Sequence, residues 1–190
     1  MKIRLASNLQ KDSIVDGEGI RAVIWMQGCK HNCKGCHNPD THSFDKGILV
    51  EIDNIKKELE ELKGQDGITL SGGDPLFQIP ETLEIAKHAQ DIGLNVWCYT
   101  GFTYEELQNM VLHNKELLEL MKNIDVLVDG KFIEEEKSLN LYYRGSKNQR
   151  ILNMKESLRK GKPIEIRKYI ASNLKTYDFG DYGRTEGLFI

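Results

Sequence analysis

The sequence predicts an α/β fold built as a partial, open parallel β/α barrel. Three observations carry that expectation. Short apolar runs of strand length alternate with longer helical patterns, the signature of βαβ units and a parallel sheet. Polar, glycine-rich residues follow strand after strand: Gln27-Gly28-Cys29, Ser71-Gly72-Gly73-Asp74, Thr100-Gly101 and Asp129-Gly130-Lys131. In parallel α/β folds functional groups gather beyond the carboxyl ends of the strands, so these segments should meet at one mouth. Finally, about four or five such units fit the chain, too few to close an eight-stranded barrel.

Each element has its own signal. Residues 20–26 form the first strong apolar strand. A helix fits 52–63, where Ile55, Leu59 and Leu62 recur at helical spacing and Gly64 stops it. A short strand at 67–70 runs into the Ser71–Pro75 turn. Pro80 opens a helix whose apolar face carries Leu83, Ala86 and Ala89, closed by Gly93. Residues 94–99 are β-rich. Thr103 and Glu106 form a capping box for one long helix carrying Leu107, Val111, Leu117, Leu118 and Met121. A strand at 125–128 follows. Residues 163–170 alternate apolar and charged side chains and read as a strand, and the tail carries Gly180, Gly183 and Gly187 among scattered aromatics. No repeat or linker divides the chain. The expected organisation is one domain over 1–190, with 153–190 as a C-terminal extension.

Composition narrows the function classes. The chain has 190 residues, 39% hydrophobic and 29% charged, as a globular protein requires. Its net charge of -3 argues against a general nucleic-acid binder. No apolar run approaches the roughly 20 residues that span a bilayer. The first residues lack the apolar core of a signal peptide, so a cytoplasmic location is expected, where clustered thiols more often mean metal than disulfide.

Cys29, Cys33 and Cys36 lie in one loop directly after the first strand, spaced Cys-x3-Cys-x2-Cys, while Cys98 stands alone inside a later apolar run. Three thiolates so close can hold three corners of a cubane 4Fe-4S cluster and leave the fourth iron open for chemistry. A disulfide would strand one thiol. A structural zinc site would need His31 or His37 to complete Cys3His, and spacing alone leaves that open. Cys98 reads as a small buried hydrophobe. Gly72 and Gly73 offer close backbone approach to a cofactor's polar end, or an ordinary turn. Asp74 can partner an amino group or cap a helix. Asp129 and Lys131 can contact a ribose or a carboxylate, or form a surface turn. His31, His37 and His42 read as hydrogen-bonding loop residues. The acidic run Glu134–Glu136 reads as a solvated face. The polar, basic stretch from Arg144 to Arg150 fits a protein partner, a cofactor or water.

As an ordered series these segments resemble the radical S-adenosylmethionine superfamily, and within it the glycyl-radical activating enzymes. The carrying residues are Asp16-Gly17-Glu18-Gly19-Ile20-Arg21 and the run from Gln27 through the cysteines to His37-Asn38-Pro39-Asp40-Thr41-His42. Ser71–Leu76, Tyr99–Thr103, Asp125–Gly130 and Arg144–Ile151 extend it from about residue 13 to 152. The pattern is similar to the activating proteins of anaerobic (class III) ribonucleoside-triphosphate reductases. An activating enzyme of another glycyl-radical enzyme, such as pyruvate formate-lyase, is the alternative, and the Arg144–Ile151 segment favours the reductase. A zinc-stabilised module without catalysis is the other.

The resemblance implies that Cys29, Cys33 and Cys36 ligate a 4Fe-4S cluster whose open iron binds the amino and carboxylate groups of S-adenosylmethionine. Gly35, Cys36, His37, Gly72, Gly73, Asp74, Asp129 and Lys131 are the residues expected around that cofactor. One electron, from a reduced flavodoxin or ferredoxin-type donor, then cleaves the sulfonium C–S bond. The resulting 5′-deoxyadenosyl radical takes a hydrogen from a glycine of the reductase. Neither nucleic acid nor a membrane is an expected partner. Two departures stand out: Glu18 occupies a position where the family usually has proline, and the chain continues well past residue 152. The extension is expected to cap the open side of the sheet or shape the docking surface.

Overall fold

The computed structural model describes residues 1–170. Residues 171–190, with the glycines and aromatics of the tail, lie outside the described residues. In chain order the strands and helices are β1 (Lys2–Leu5), β2 (Gln10–Ser13), β3 (Arg21–Met26), β4 (Ile48–Glu51), α1 (Ile52–Glu60), β5 (Gly67–Gly72) and α2 (Ile79–Asp91). There follow β6 (Asn95–Tyr99), α3 (Tyr104–Met110), α4 (Lys115–Lys122), β7 (Val126–Asp129), β8 (Arg150–Asn153), α5 (Met154–Lys160) and α6 (Arg167–Ile170).

The strands form one eight-stranded sheet in the order β4-β1-β3-β5-β6-β7-β8, with β2 paired on β3. The run β3-β5-β6-β7 is parallel, as expected. Its path ends on different strands, so the sheet is open. Both flanks are antiparallel: β1, β2 and β4 on one side, β8 on the other. The sequence patterning signals none of these four, because each is short and at a flank.

Alternation along the strands divides the interior in two. Val96 and Cys98 of β6, Leu127 of β7 and Leu152 of β8 join the large core under the helices. Trp97, Val126, Val128 and Ile151 point the other way, into a smaller cluster that also takes Tyr169. Helices α1 to α5 therefore cover one face, and the opposite face is partly filled by aromatic rings, Tyr169 of α6 among them. That opposite face leads to the site.

Two helix and strand expectations change. The capping box is present, with Thr103 and Glu106 each serving the other's backbone. The single long helix is two, however, because Asn114 accepts a hydrogen bond from the Leu117 backbone at 3.0 Å and starts a new helix there. Residues 163–170 are not a strand. Glu165 makes one isolated bridge to Leu152. The Tyr169 amide then donates to the Ile166 carbonyl at 3.0 Å, turning the chain so that Tyr169 meets Trp97. No helix among the described residues is long and apolar enough to cross a membrane.

Candidate functional site

The carboxyl ends of β3, β5, β6 and β7 converge on a cavity of about 660 Å³, and segments from all four line it. Cys29, Cys33 and Cys36 sit on its wall, each half-buried and none in a disulfide. Their loop is pinned at both ends. The Gly28 amide donates to the Thr41 carbonyl at 2.7 Å and the Cys29 amide to the His42 carbonyl at 3.0 Å. Inside it, the Asn38 amide donates to Cys36 Sγ at 3.4 Å.

Burial pushes the Cys29 thiol up to about 11, and the neighbouring charges of Asp74, Cys33 and Cys36 add to the rise. Burial raises Cys33 as well. Three thiolates crowded together therefore need a compensating positive group, which iron supplies. Among the described residues no three His, Cys, Asp or Glu side chains close on one ion position. A cubane takes one thiolate per iron, so its ligands stand apart. His31 is already engaged, with Nε2 2.7 Å from Asp74 Oδ2 and little of the ring exposed. His37 packs on Phe132 with ring centroids 4.8 Å apart. The donor set thus fits a three-thiolate cluster better than Cys3His zinc.

Gly72 and Gly73 line the cavity, and their missing side chains serve the protein first. A Cβ on Gly72, whose φ is +99°, would stand 2.6 Å from the Met26 backbone, and one on Gly73 would stand 2.5 Å from the Gly28 carbonyl. The two glycines let the end of β5 lie directly against the start of the cysteine loop. Backbone bonds lock that approach: the Gly73 amide to the Met26 carbonyl at 2.7 Å, and the Asp74 amide to the Gly28 carbonyl at 3.0 Å.

Asp74 is buried beneath the loop and both of its carboxylate oxygens are engaged. Its Oδ2 faces His31 and accepts from Thr100 Oγ1 and the Gly101 amide, both at 2.9 Å, while Oδ1 accepts from the Leu76 amide at 2.9 Å. The capping role is present, and Asp74 also lines the cavity. Asp129 is not a cavity residue. It accepts from Arg150 Nε at 3.0 Å, from Arg150 Nη2, and from the Tyr104 amide at 2.8 Å. Lys131, two residues on, does line the cavity. So do His31, His37 and His42, whereas Gly35 lies outside the lining, against Glu134.

Sequence reasoning missed the residues that brace the site. Gln149 Oε1 accepts from the Gly145 and Ser146 amides at 2.9 and 3.2 Å, and its Nε2 donates to the Gly130 carbonyl at 3.0 Å. This ties the Arg144–Ser146 turn to the end of β7. Nothing in the spacing of Gln149 signals that role, because the partners are set by the fold.

The 4Fe-4S single cluster domain family matches residues 15–152. The anaerobic ribonucleoside-triphosphate reductase-activating protein of Haemophilus influenzae is 35% identical over 152 residues, covering 75% of this chain and 93% of that protein. Its namesake in Escherichia coli K12 is 35% identical over 144 residues, covering 72% of this chain and 90% of that protein. That of phage T4 is 33% identical over 144 residues, with 72% and 86% covered. Among solved structures, QueE from Escherichia coli overlays with a TM-score of 0.47 at 14% identity over 54% of each chain. The matched stretch holds the cysteine loop and the whole parallel run of the sheet, and the chain belongs to the 4Fe-4S single cluster domain family, among the anaerobic ribonucleoside-triphosphate reductase-activating proteins.

Proposed function

We propose that this protein activates an anaerobic ribonucleoside-triphosphate reductase by installing a glycyl radical on it. The observation that carries the reading is the placement of Cys29, Cys33 and Cys36 on the wall of the cavity at the carboxyl ends of the parallel strands. When bound, a reduced 4Fe-4S cluster with S-adenosylmethionine on its open iron supplies one-electron cleavage of the sulfonium C–S bond, and so a hydrogen-abstracting 5′-deoxyadenosyl radical.

The chain's own residues do the rest. Cys29, Cys33 and Cys36 give up their protons and hold three irons. The backbone at Gly72 and Gly73 and the side chains of His37 and Lys131 border the space for S-adenosylmethionine. Asp74 acts through His31, keeping the cysteine loop against the end of β5. Tyr99 and Tyr143 line the cavity with their rings, backed by the buried Trp97, and this aromatic wall excludes water from a reactive carbon radical. The unclosed sheet leaves room for a glycine-bearing loop of the reductase to enter, which a filled barrel would not.

The electron comes from a reduced flavodoxin or ferredoxin-type donor. The setting is cytoplasmic, with no nucleic acid or membrane partner. Residues 1–190 act as one domain with 153–190 as an extension.

Anaerobic incubation with the reductase, S-adenosylmethionine and a reductant tests the proposal. A glycyl-radical signal should appear on the reductase, and Cys33→Ala should abolish both that signal and S-adenosylmethionine cleavage. A radical on pyruvate formate-lyase alone would move the protein to the alternative partner. Repeated turnover of a small molecule with no radical on any protein would overturn the activase reading.

A further inference from the structure

Glu18 and the chain beyond residue 152 have no part in the chemistry above, yet they meet. Lys168 Nζ stands 2.6 Å from both carboxylate oxygens of Glu18, and the Tyr169 hydroxyl donates to Glu18 Oε2 at 2.9 Å. Tyr169 is itself only 5% exposed. Its ring packs edge-on against Trp97 and Tyr143, with centroids 6.1 and 5.7 Å away, and tilted against Tyr142. Its carbonyl accepts from Arg144 Nη2 at 2.9 Å.

Those neighbours matter because Tyr143 and Arg144 line the cavity beside the cysteines. Tyr143 holds a φ of +49°, a left-handed conformation that costs a bulky residue free energy and persists only where packing enforces it. The packing comes from Trp97 on one side and Tyr169 on the other. Arg144 reaches the Gln149 carbonyl with Nη1 at 3.0 Å, so its guanidinium is stretched between the turn and Tyr169. A line of contacts therefore runs from Glu18 through Tyr169 to two residues of the cavity wall.

We infer that Tyr169 is a positioning residue for the Tyr143–Arg144 wall, that Glu18 is its anchor, and that the C-terminal extension thereby completes the S-adenosylmethionine cavity. The ligand's identity rests on the function proposed above; the mechanical claim does not.

Limited trypsin digestion of the cluster-free protein reads the mechanical claim at the Arg144–Gly145 bond. Tyr169→Ala should raise cleavage there by about tenfold or more, since it removes the ring packing and frees the loop. Glu18→Ala should raise it by about fivefold, the population change expected from losing the tyrosine hydrogen bond, since the exposed Lys168 pair adds little. Glu18→Gln, which keeps an acceptor for the hydroxyl, should restore most of the protection. The Glu18 side chain is 57% exposed, so its loss does not unfold the core. In the cluster-loaded enzyme Glu18→Ala should raise the KM for S-adenosylmethionine by a similar factor with a smaller change in kcat. Cleavage rising equally at every lysine and arginine would reduce Tyr169 to a core residue and overturn the inference. So would an unchanged Arg144 cut in Glu18→Ala. If the wild-type loaded enzyme binds no S-adenosylmethionine while the digestion pattern holds, the proposed function fails and the positioning role stands.

Discussion

Asp74 and Asp129 sit at the carboxyl ends of two parallel strands, each next to glycine in sequence and each 1% exposed. They are wired differently. Asp74 gathers donors from three loops: His31 beside the cysteines, Leu76 in its own turn, and Thr100 with Gly101 after β6. Asp129 faces one strong cation, Arg150, which Glu105 also holds at 3.0 and 2.7 Å. One carboxylate is a hub that three loops depend on, and the other is one side of a shared ion pair. The difference places the mechanical load of the site on the cysteine-loop side of the sheet.

The test that would break this comparison is Asp74→Ala. Removing a buried carboxylate leaves four donors facing an apolar gap, and losses of about 3–5 kcal/mol are usual when one partner of a buried polar network is deleted. Urea unfolding of the cluster-free protein should show that loss. Iron loading should fall with it, because His31 no longer ties the cysteine loop to β5. A variant that keeps wild-type stability and full iron would show that the loop is held by its backbone bonds alone.

Asp129→Ala should cost less, about 2 kcal/mol, because Arg150 retains Glu105 and is partly solvated. The Tyr104 amide at the start of α3 loses its acceptor, so hydrogen exchange should quicken in the first turn of that helix. Iron content should stay at the wild-type level. A matching loss of iron in both variants would erase the distinction between the two carboxylates.

The two aspartates also mark how far the sequence can be read. Local chemistry was legible: the strands at residues 67–70 and 94–99, the Thr103 capping box, and the glycine turns that follow the parallel strands all appear where their patterns place them. The cysteine spacing led to the cavity because all three residues sit in one loop. What stayed hidden depends on distant partners. An aspartate beside glycine after a strand looks the same in sequence whether its acceptors face a cavity or, as with Asp129, pair with an arginine 21 residues on. The alternation at residues 163–170 suits a strand, yet the pairing with β8 is one bridge long: the Ile164 carbonyl accepts from the Asn153 amide and the Ile166 amide donates to the Ile151 carbonyl around Glu165, and beyond it the chain turns so that Tyr169 packs on Trp97. The apolar spacing runs straight through residues 111–114, yet α3 ends at Met110 and Asn114 caps a new helix, because a side-chain cap competes there with helix continuation.

Cys98 lies between the two carboxylates, on β6, and there the smallest effect is expected. It pairs in register with Leu70 of β5 and Leu127 of β7, and its side chain points into the helix-covered core, whereas Trp97 and Tyr99 point to the cavity face. Burial, with Asp74 adding to it, raises the thiol well above its ordinary range, and unlike the loop cysteines it does not reach the cavity where iron would sit. Among the described residues its one polar contact is a long 3.8 Å approach to the Tyr99 carbonyl. Cys98→Ala removes a single buried sulfur and should cost about 1 kcal/mol, with iron content and S-adenosylmethionine cleavage at wild-type levels. Stability measured by urea unfolding and iron assayed after anaerobic reconstitution separate the two quantities. If Cys98→Ala lost iron as fully as Cys33→Ala, a fourth thiolate would have to reach the cluster through the sheet, and the three-ligand site with its open iron could not stand.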